Sequence, residues 1–371
     1  MRHELLQYLA CPECGGPFSL SVFSNTPEHI DDGLLACSQC TAWYVIRAGV
    51  PRMLSDDLLP ENKEFYGNYT KELIDVLGER FTKKVSAGSF AKLQKKTVRN
   101  FGSEWETWDD FGWQGGAASN DAKRIFNYKV LFTPHELRGK LLLDAGCGNG
   151  RYTVVAREYG AEVIGVDLSA ADTAYKNTRN DPKIHIIQGD LFKLPLRKNL
   201  LDFVFSNGVL MHTGDAHKAF LSIASHLNEN GVITVHLYHR GNIIYEFNDW
   251  WLRAIGTRLP LHVMYRIANG GAAVVRLFPQ KLLLNVVNAV VRLEAHPHYI
   301  FDWYTAPIAT HHTYKEVYRW LKDAGLHLVE DHNATHHRFL RMLVPFWFLT
   351  VKAQKQPLQG LVRHTTTAPG A

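Results

Sequence analysis

The sequence predicts an α/β protein built on a doubly wound, mostly parallel sheet of seven strands, with a small metal-stapled domain ahead of it and a helical cap inserted late. Three observations predict it. Apolar runs ending in acids or amides recur from Leu141 onward with helix-length spacers between them. The first of these runs enters a turn with three glycines spaced two apart. Four of the five cysteines fall near the start as two C-x-x-C pairs.

The cysteines come first in the chain. Cys11-x-x-Cys14 and Cys37-x-x-Cys40 have the spacing of a tetrahedral zinc ribbon, with Gly15-Gly16-Pro17 as a knuckle turn and alternating apolar residues from Phe18 to Phe23 as a hairpin arm. A unit of residues 1–54 is too small to build an adequate core without metal, so the zinc is expected to be structural. Cys147 lies apart, as a small residue inside the glycine turn.

Residues 55–138 read as a linker and N-terminal cap. Their first part is charged and helix-compatible, with lysines at 71, 83, 84, 92, 95 and 96 on solvated faces. The second is aromatic, with Phe101, Trp105, Trp108, Phe111 and Trp113, and is expected either to pack in a core or to close over a ligand.

The cofactor-binding half spans 139–240. Leu141-Leu-Leu-Asp144 is a buried strand, and Gly146, Gly148 and Gly150 turn it into a helix. The dinucleotide fingerprint needs a third glycine one place later, where this chain has Arg151. Asp144 would repel a pyrophosphate but suits a cationic group. The second strand ends at Asp167-Leu168, about 20 residues on, where an acid takes ribose hydroxyls. The third ends at Asp190-Leu191, the fourth at Asn207, and the fifth is Val232 to Tyr238. Acids closing three successive strands fit a ligand with a cationic amino acid, a ribose and an adenine amine.

This order of pieces resembles the class I S-adenosylmethionine-dependent methyltransferases, over roughly Leu141 to Lys355. Asp144-Ala-Gly-Cys-Gly-Asn-Gly150 is similar to that family's glycine motif, Val163 to Asp167 to its ribose strand, and Gly189-Asp190-Leu191 to its adenine loop. Asn207 to His212 is similar to the segment beside the transferred methyl, and Phe101-Gly-Ser-Glu-Trp105 to a segment ahead of the fold in one bacterial subgroup. The resemblance implies a Rossmann-like sheet with S-adenosylmethionine held by Asp144, Gly146, Gly148, Gly150, Asp167, Leu168, Asp190, Leu191 and Asn207. The cysteine segment, from Leu5 through Pro51, resembles the small zinc-ribbon proteins that stabilise or activate some methyltransferases, here fused to the enzyme.

After the fifth strand, residues 241–300 form an apolar, helical insertion at the edge where such sheets bind substrates. It is expected to cap a pocket for a partly hydrophobic small molecule. A homo-oligomer interface and peripheral membrane contact stay open, since six Lys or Arg there face three acids. Residues 301–355 complete the domain: a helix capped by Thr313 with Glu316 three residues on, a sixth strand near Leu326 to Glu330, and a last one from about Phe346 to Val351. The tail, 356–371, is expected to be disordered.

Methyl transfer needs alignment and exclusion of water, and a base only where the acceptor must lose a proton. His212, after the fourth strand, is the first candidate; Tyr304 and His311 follow, with His236, His239, Asp302 and His312 on the same rim. An Asn-Pro-Pro-Tyr-like tetrad, which enzymes acting on base amines or glutamine amides share, is replaced by Ser206-Asn207-Gly208-Val209, so small-molecule O-, N- or C-methylation is the leading expectation. A zinc-ribbon RNA methyltransferase and a non-enzymatic adaptor remain alternatives; the intact strand-end acids argue against the adaptor.

Composition agrees. Hydrophobic residues make up 46% of 371, enough for a large core, and a net charge of +5 is too mild to demand a nucleic-acid partner. No secretory h-region is visible, and the expected location is the cytoplasm.

Overall fold

The computed structural model describes residues 1–56, 58–59, 62–82, 92–240, 243–277, 287–288, 291–332 and 348–355. The expected tail lies outside them, as do Lys83, Lys84 and the start of the expected last strand.

Eleven strands form one sheet. The ribbon contributes β1 (Phe18–Asn25), β2 (Ile30–Cys37), β3 (Trp43–Arg47) and β4 (Val50–Met53), antiparallel in sequence order. A two-residue ladder, β5 (Trp113–Gln114) with β6 (Ala117–Ala118), stands apart. The main strands are β7 (Leu141–Ala145), β8 (Glu162–Asp167), β9 (Ile184–Gly189), β10 (Leu201–Asn207), β11 (Leu227–Tyr238), β12 (His327–Asp331) and β13 (Phe348–Gln354). Their spatial order is β9-β8-β7-β10-β11-β13-β12, with β13 antiparallel to both neighbours. These are the seven strands expected. The unexpected feature is the junction: β4 pairs in parallel with β9 through Arg52–Gln188 and Met53–Gly189, so the ribbon extends the edge of the sheet.

Helices of the linker are α1 (Asn62–Asn68), α2 (Thr70–Leu77), α3 (Glu79–Thr82), α4 (Lys92–Thr107), α5 (Asn120–Val130) and α6 (Pro134–Leu137). Within the sheet's crossovers lie α7 (Arg151–Glu158), α8 (Ala171–Thr178) and α9 (Ala216–Ala224). The insertion forms α10 (Ile243–Gly256), α11 (Leu261–Leu277) and α12 (Pro297–Thr305), and α13 (Tyr314–Asp323) follows. Thr313 and Glu316 make the reciprocal capping box expected at the start of α13.

Strand side chains alternate between two cores. Leu142, Val163, Phe203 and Phe205 face α5 and α7, meeting Phe126, Val130 and Val155. Leu143, Ile164, Val166 and Val204 face the opposite core, shared with α9, α11 and α12. Phe126 is wholly buried there, so its truncation to Ala would cost about 3–5 kcal/mol.

The ribbon is tied down by buried polar contacts. Arg52 donates to both Asp172 oxygens, at 2.9 and 2.6 Å, and to Gln188 at 2.8 Å. That guanidinium holds the Asp172 carboxyl below its usual range against the opposing effect of burial. On the far side, Arg80 of α3 donates to the carbonyls of Cys37, Cys40 and Ala42, closing the second knuckle from the linker.

Candidate active site and metal centre

At the carboxyl ends of the main strands a single large cavity opens, enclosing about 1330 Å³ including its mouth. Its near half is built from the strand-end turns. Gly146 and Gly148 line it with left-handed φ of 91° and 54°, conformations that disfavour a Cβ. A Cβ on Gly146 would lie 2.3 Å from Val209 Cγ2, and one on Gly148 2.9 Å from Trp105. The turn is tight because two loops close on it.

The acids follow. Asp167 lines the cavity and accepts from the amides of Gly148 (2.9 Å), Ser169 (2.8 Å) and Ala170 (2.8 Å), which organise the turn around the carboxylate. Asp190 caps its own short turn by accepting from the Phe192 amide at 2.9 Å, and burial pushes its carboxyl upward. Leu168 and Leu191 supply apolar walls between the two. Asn207 closes β10 with a buried side-chain oxygen that has no hydrogen-bond donor among the described residues. The residue lines the cavity, and its unpartnered oxygen lies just behind that wall.

Residues 143–235 match the methyltransferase domain family. The match takes in about a quarter of this chain. Over 120 residues it is 29% identical to a malonyl-[acyl-carrier protein] O-methyltransferase of Pectobacterium atrosepticum, covering 32% of this chain and 47% of that one. Over 87 residues it is 37% identical to a tRNA U34 carboxymethyltransferase of Proteus mirabilis, covering 21% and 26%. The chain thus spans about half or less of the relatives it matches. Among solved structures, the Burkholderia thailandensis 1,6-didemethyltoxoflavin-N1-methyltransferase with bound S-adenosylhomocysteine aligns with 74% of this chain and 94% of its own, at 18% identity and a TM-score of 0.41.

Within the methyltransferase domain, two expected cofactor residues stand back from the cavity. Asp144 is buried beneath the turn and accepts from Thr153 Oγ1 at 2.7 Å; burial raises its carboxyl to about 7, so it organises the start of α7 instead of meeting a ligand. Gly150 also lies off the cavity, and its Cβ would fall 3.0 Å from Thr178, so it serves helix packing against α8.

The far half lies beyond β10. His212 lines it, its Nδ1 held by the Ile308 carbonyl at 2.6 Å and its Nε2 buried with no partner among the described residues. Because a carbonyl only accepts, Nδ1 carries the proton and Nε2 is the free acceptor. Burial lowers this imidazole to about 3, which keeps it neutral. His236 on β11 is similar: Nδ1 meets Thr350 Oγ1 at 2.7 Å, Nε2 is unpartnered, and burial drives the ring well below its usual range. Asp302 also lines this half.

Tyr304 and His311 are corrected. The Tyr304 hydroxyl accepts from the Arg292 amide at 3.0 Å and reaches the Arg292 carbonyl at 3.2 Å, stapling a backbone segment away from the cavity. His311 turns to Glu246, 2.7 Å from Nδ1, and stacks on Trp303. His239 and His312 likewise fall outside the cavity wall; they pair across an isolated bridge.

Further cavity residues lie outside the strand-end motifs. Phe101 and Trp105 of α4 line the cavity, Phe101 against His212, while Trp108 packs on Tyr265 and Phe301. Arg151 stacks over Phe111 at 4.5 Å and Tyr152 at 4.6 Å. His298 Nδ1 sits 2.9 Å from Glu104, and burial pushes the acid up and the imidazole down, so the contact joins two neutral groups. Lys129, from α5, and Arg292 complete the wall.

In the ribbon, the sulfurs of Cys11, Cys14, Cys37 and Cys40 all lie within 4.8 Å of one another, with Cys11–Cys40 at 3.7 Å and Cys14–Cys37 at 3.4 Å. Zinc–thiolate bonds of about 2.3 Å in a tetrahedron place sulfurs ~3.8 Å apart, so these residues fit the ion.

Proposed function

We propose that this protein transfers the methyl group of S-adenosylmethionine to a small, partly hydrophobic metabolite, with a structural zinc held by Cys11, Cys14, Cys37 and Cys40. One observation carries the reading: a single cavity runs from the glycine turn and the acids at 167 and 190, past the orphaned Asn207 oxygen, into an aromatic chamber. All three line the cavity, and on this reading Asp167 takes ribose hydroxyls, Asp190 an adenine amine and Asn207 the amino-acid ammonium. When bound, S-adenosylmethionine supplies an activated methyl group. The chain's residues then orient the acceptor and exclude water. His212, whose ring lines the chamber, is the residue we assign to meet the acceptor, by a small turn of the ring that would bring its unpartnered Nε2 to the cavity.

Calorimetry with S-adenosylhomocysteine tests the donor site, and absence of heat at high concentration would overturn the reading. Fractionated cell extract supplied with tritiated-methyl donor tests the acceptor. Label is expected in small metabolites, and label confined to RNA would overturn the small-molecule assignment. Near-stoichiometric zinc is expected on metal analysis of the purified protein.

A further inference from the structure

The far chamber is lined by an amine and a carboxyl group that do not pair with each other. Lys129 lies over the Phe348 ring at 4.9 Å, and its ammonium makes no hydrogen bond among the described residues. Asp302 presents a carboxylate to the same chamber, also without a hydrogen bond among the described residues and without an ion pair to Lys129. Burial draws the Lys129 amine down to about 7 and pushes the Asp302 carboxyl up, and a complementary ligand would restore both to their charged forms. Arg292, over Trp303 at 4.1 Å and Phe348 at 4.8 Å, strengthens the positive end. Position separates this pair from the donor: Phe348 opens β13, three strands from β7 in the order β7-β10-β11-β13, roughly 14 Å across at strand spacing. The same cavity is also lined by flat rings, Tyr238, Trp303 and Phe348.

We propose that Lys129 and Asp302 are the acceptor's recognition pair, the ammonium taking a carboxylate and the carboxylate taking a hydroxyl or amine hydrogen of a small aromatic acid. The inference rests on the methyltransferase reading above, and the experiment separates the two. S-adenosylhomocysteine is titrated first; if it does not bind, the donor site fails. With it bound, 3-(4-hydroxyphenyl)propionate is titrated as probe, beside its amide and 3-phenylpropionate. The acid is expected to bind about tenfold or more tighter than the amide, with Lys129→Met abolishing the difference. Asp302→Asn is expected to abolish the preference over 3-phenylpropionate. Both variants should keep donor-site affinity within about twofold. Equal binding of acid and amide, no acid binding up to about 10 mM, or loss of S-adenosylhomocysteine binding in Lys129→Met would each overturn the proposal.

A second inference stands on a different surface. α10 and α11 bury one stripe each, Tyr245-Asp249-Arg253-Gly256 and Met264-Ala268-Ala272-Val275, against the body. Their opposite faces are also apolar. Ile243 (85% exposed), Trp250 (68%) and Leu277 (77%) stand in solvent with Ile244, Phe247, Ile255, Ile267 and Val274. Such a patch marks a binding surface. Charge says which: Arg258, Arg266 and Arg276 are exposed, while the two acids of these helices, Glu246 and Asp249, are taken by His311 and Arg253. No described helix is long and apolar enough to cross a membrane.

We infer that this face lies on an anionic lipid surface, its aromatic and aliphatic side chains in the interface and its arginines on headgroups. Sedimentation with phosphatidylcholine vesicles, with and without phosphatidylglycerol, tests it. Binding is expected only with the anionic lipid, and it should be lost in Phe247→Ser/Trp250→Ser, a surface change that leaves the fold intact by circular dichroism. No vesicle binding, or a dimer in light scattering that the same variant dissociates, would overturn it.

Discussion

His212 and Asp144 are both neutralised by burial, and they respond to pH in opposite directions. The His212 imidazole, lowered to about 3 in the folded chain, takes up a proton more readily once unfolded, so its contribution to stability is lost as pH falls below the ordinary histidine range. Nitrogen NMR should find the ring neutral, with the proton on Nδ1, between about pH 5 and 8. Asp144 behaves in reverse. Its carboxyl, raised to about 7, binds a proton in the folded state that the unfolded chain releases near the ordinary carboxyl value, so stability declines as pH rises from about 4 to 7. Asp144→Asn, which keeps an oxygen for Thr153, should raise Tm by a few degrees above pH 7 and change little near pH 4 in calorimetric scans. At this scale the sequence was only partly legible. Asp144 had the right type and place for a ligand's cation, but whether a strand-end carboxylate turns outward or down onto the next helix depends on a Thr153 hydroxyl nine residues on.

Elements were more readable than side chains. The glycine turn was visible because the run of apolar residues, the acid and the spacing of Gly146 and Gly148 all serve one local geometry. Gly146→Ala must adopt φ near 91° and place Cβ 2.3 Å from Val209, so it should lose donor binding and cost about 1–3 kcal/mol, checked by calorimetry and chemical denaturation. Tyr304 and His311 were misplaced for the opposite reason. Their rim position followed from chain order, yet the side of α12 that faces the chamber is set by its packing between α10 and α11, which turns Asp302 inward and Tyr304 toward Arg292. Lys129, Arg292 and His298 had no local signal at all. They come from two segments roughly 160 residues apart, α5 and the stretch leading into α12, and only the tertiary fold brings them to one wall.

The whole molecule is held together at the β4–β9 edge. Met53 pairs with Gly189, the residue before Asp190, so the ribbon's last strand backs the loop expected to receive adenine. Arg52→Met should leave Gln188 and Asp172 without their common donor, lowering stability by about 1–3 kcal/mol in denaturant titrations. Stripping metal from the full chain with a strong chelator should reduce both Tm and affinity for S-adenosylhomocysteine, by the reciprocity of linked equilibria. The seven main strands were legible because each is an apolar run with its own turn, whereas pairing between the ribbon and the sheet joins residues far apart in the chain and leaves no periodic mark. That covalent junction has a further consequence. A separate activating subunit must find its enzyme at cellular concentration and can be shared among several. A ribbon in the same chain meets its edge intramolecularly, so its pairing does not depend on protein concentration and its stoichiometry is fixed at one to one.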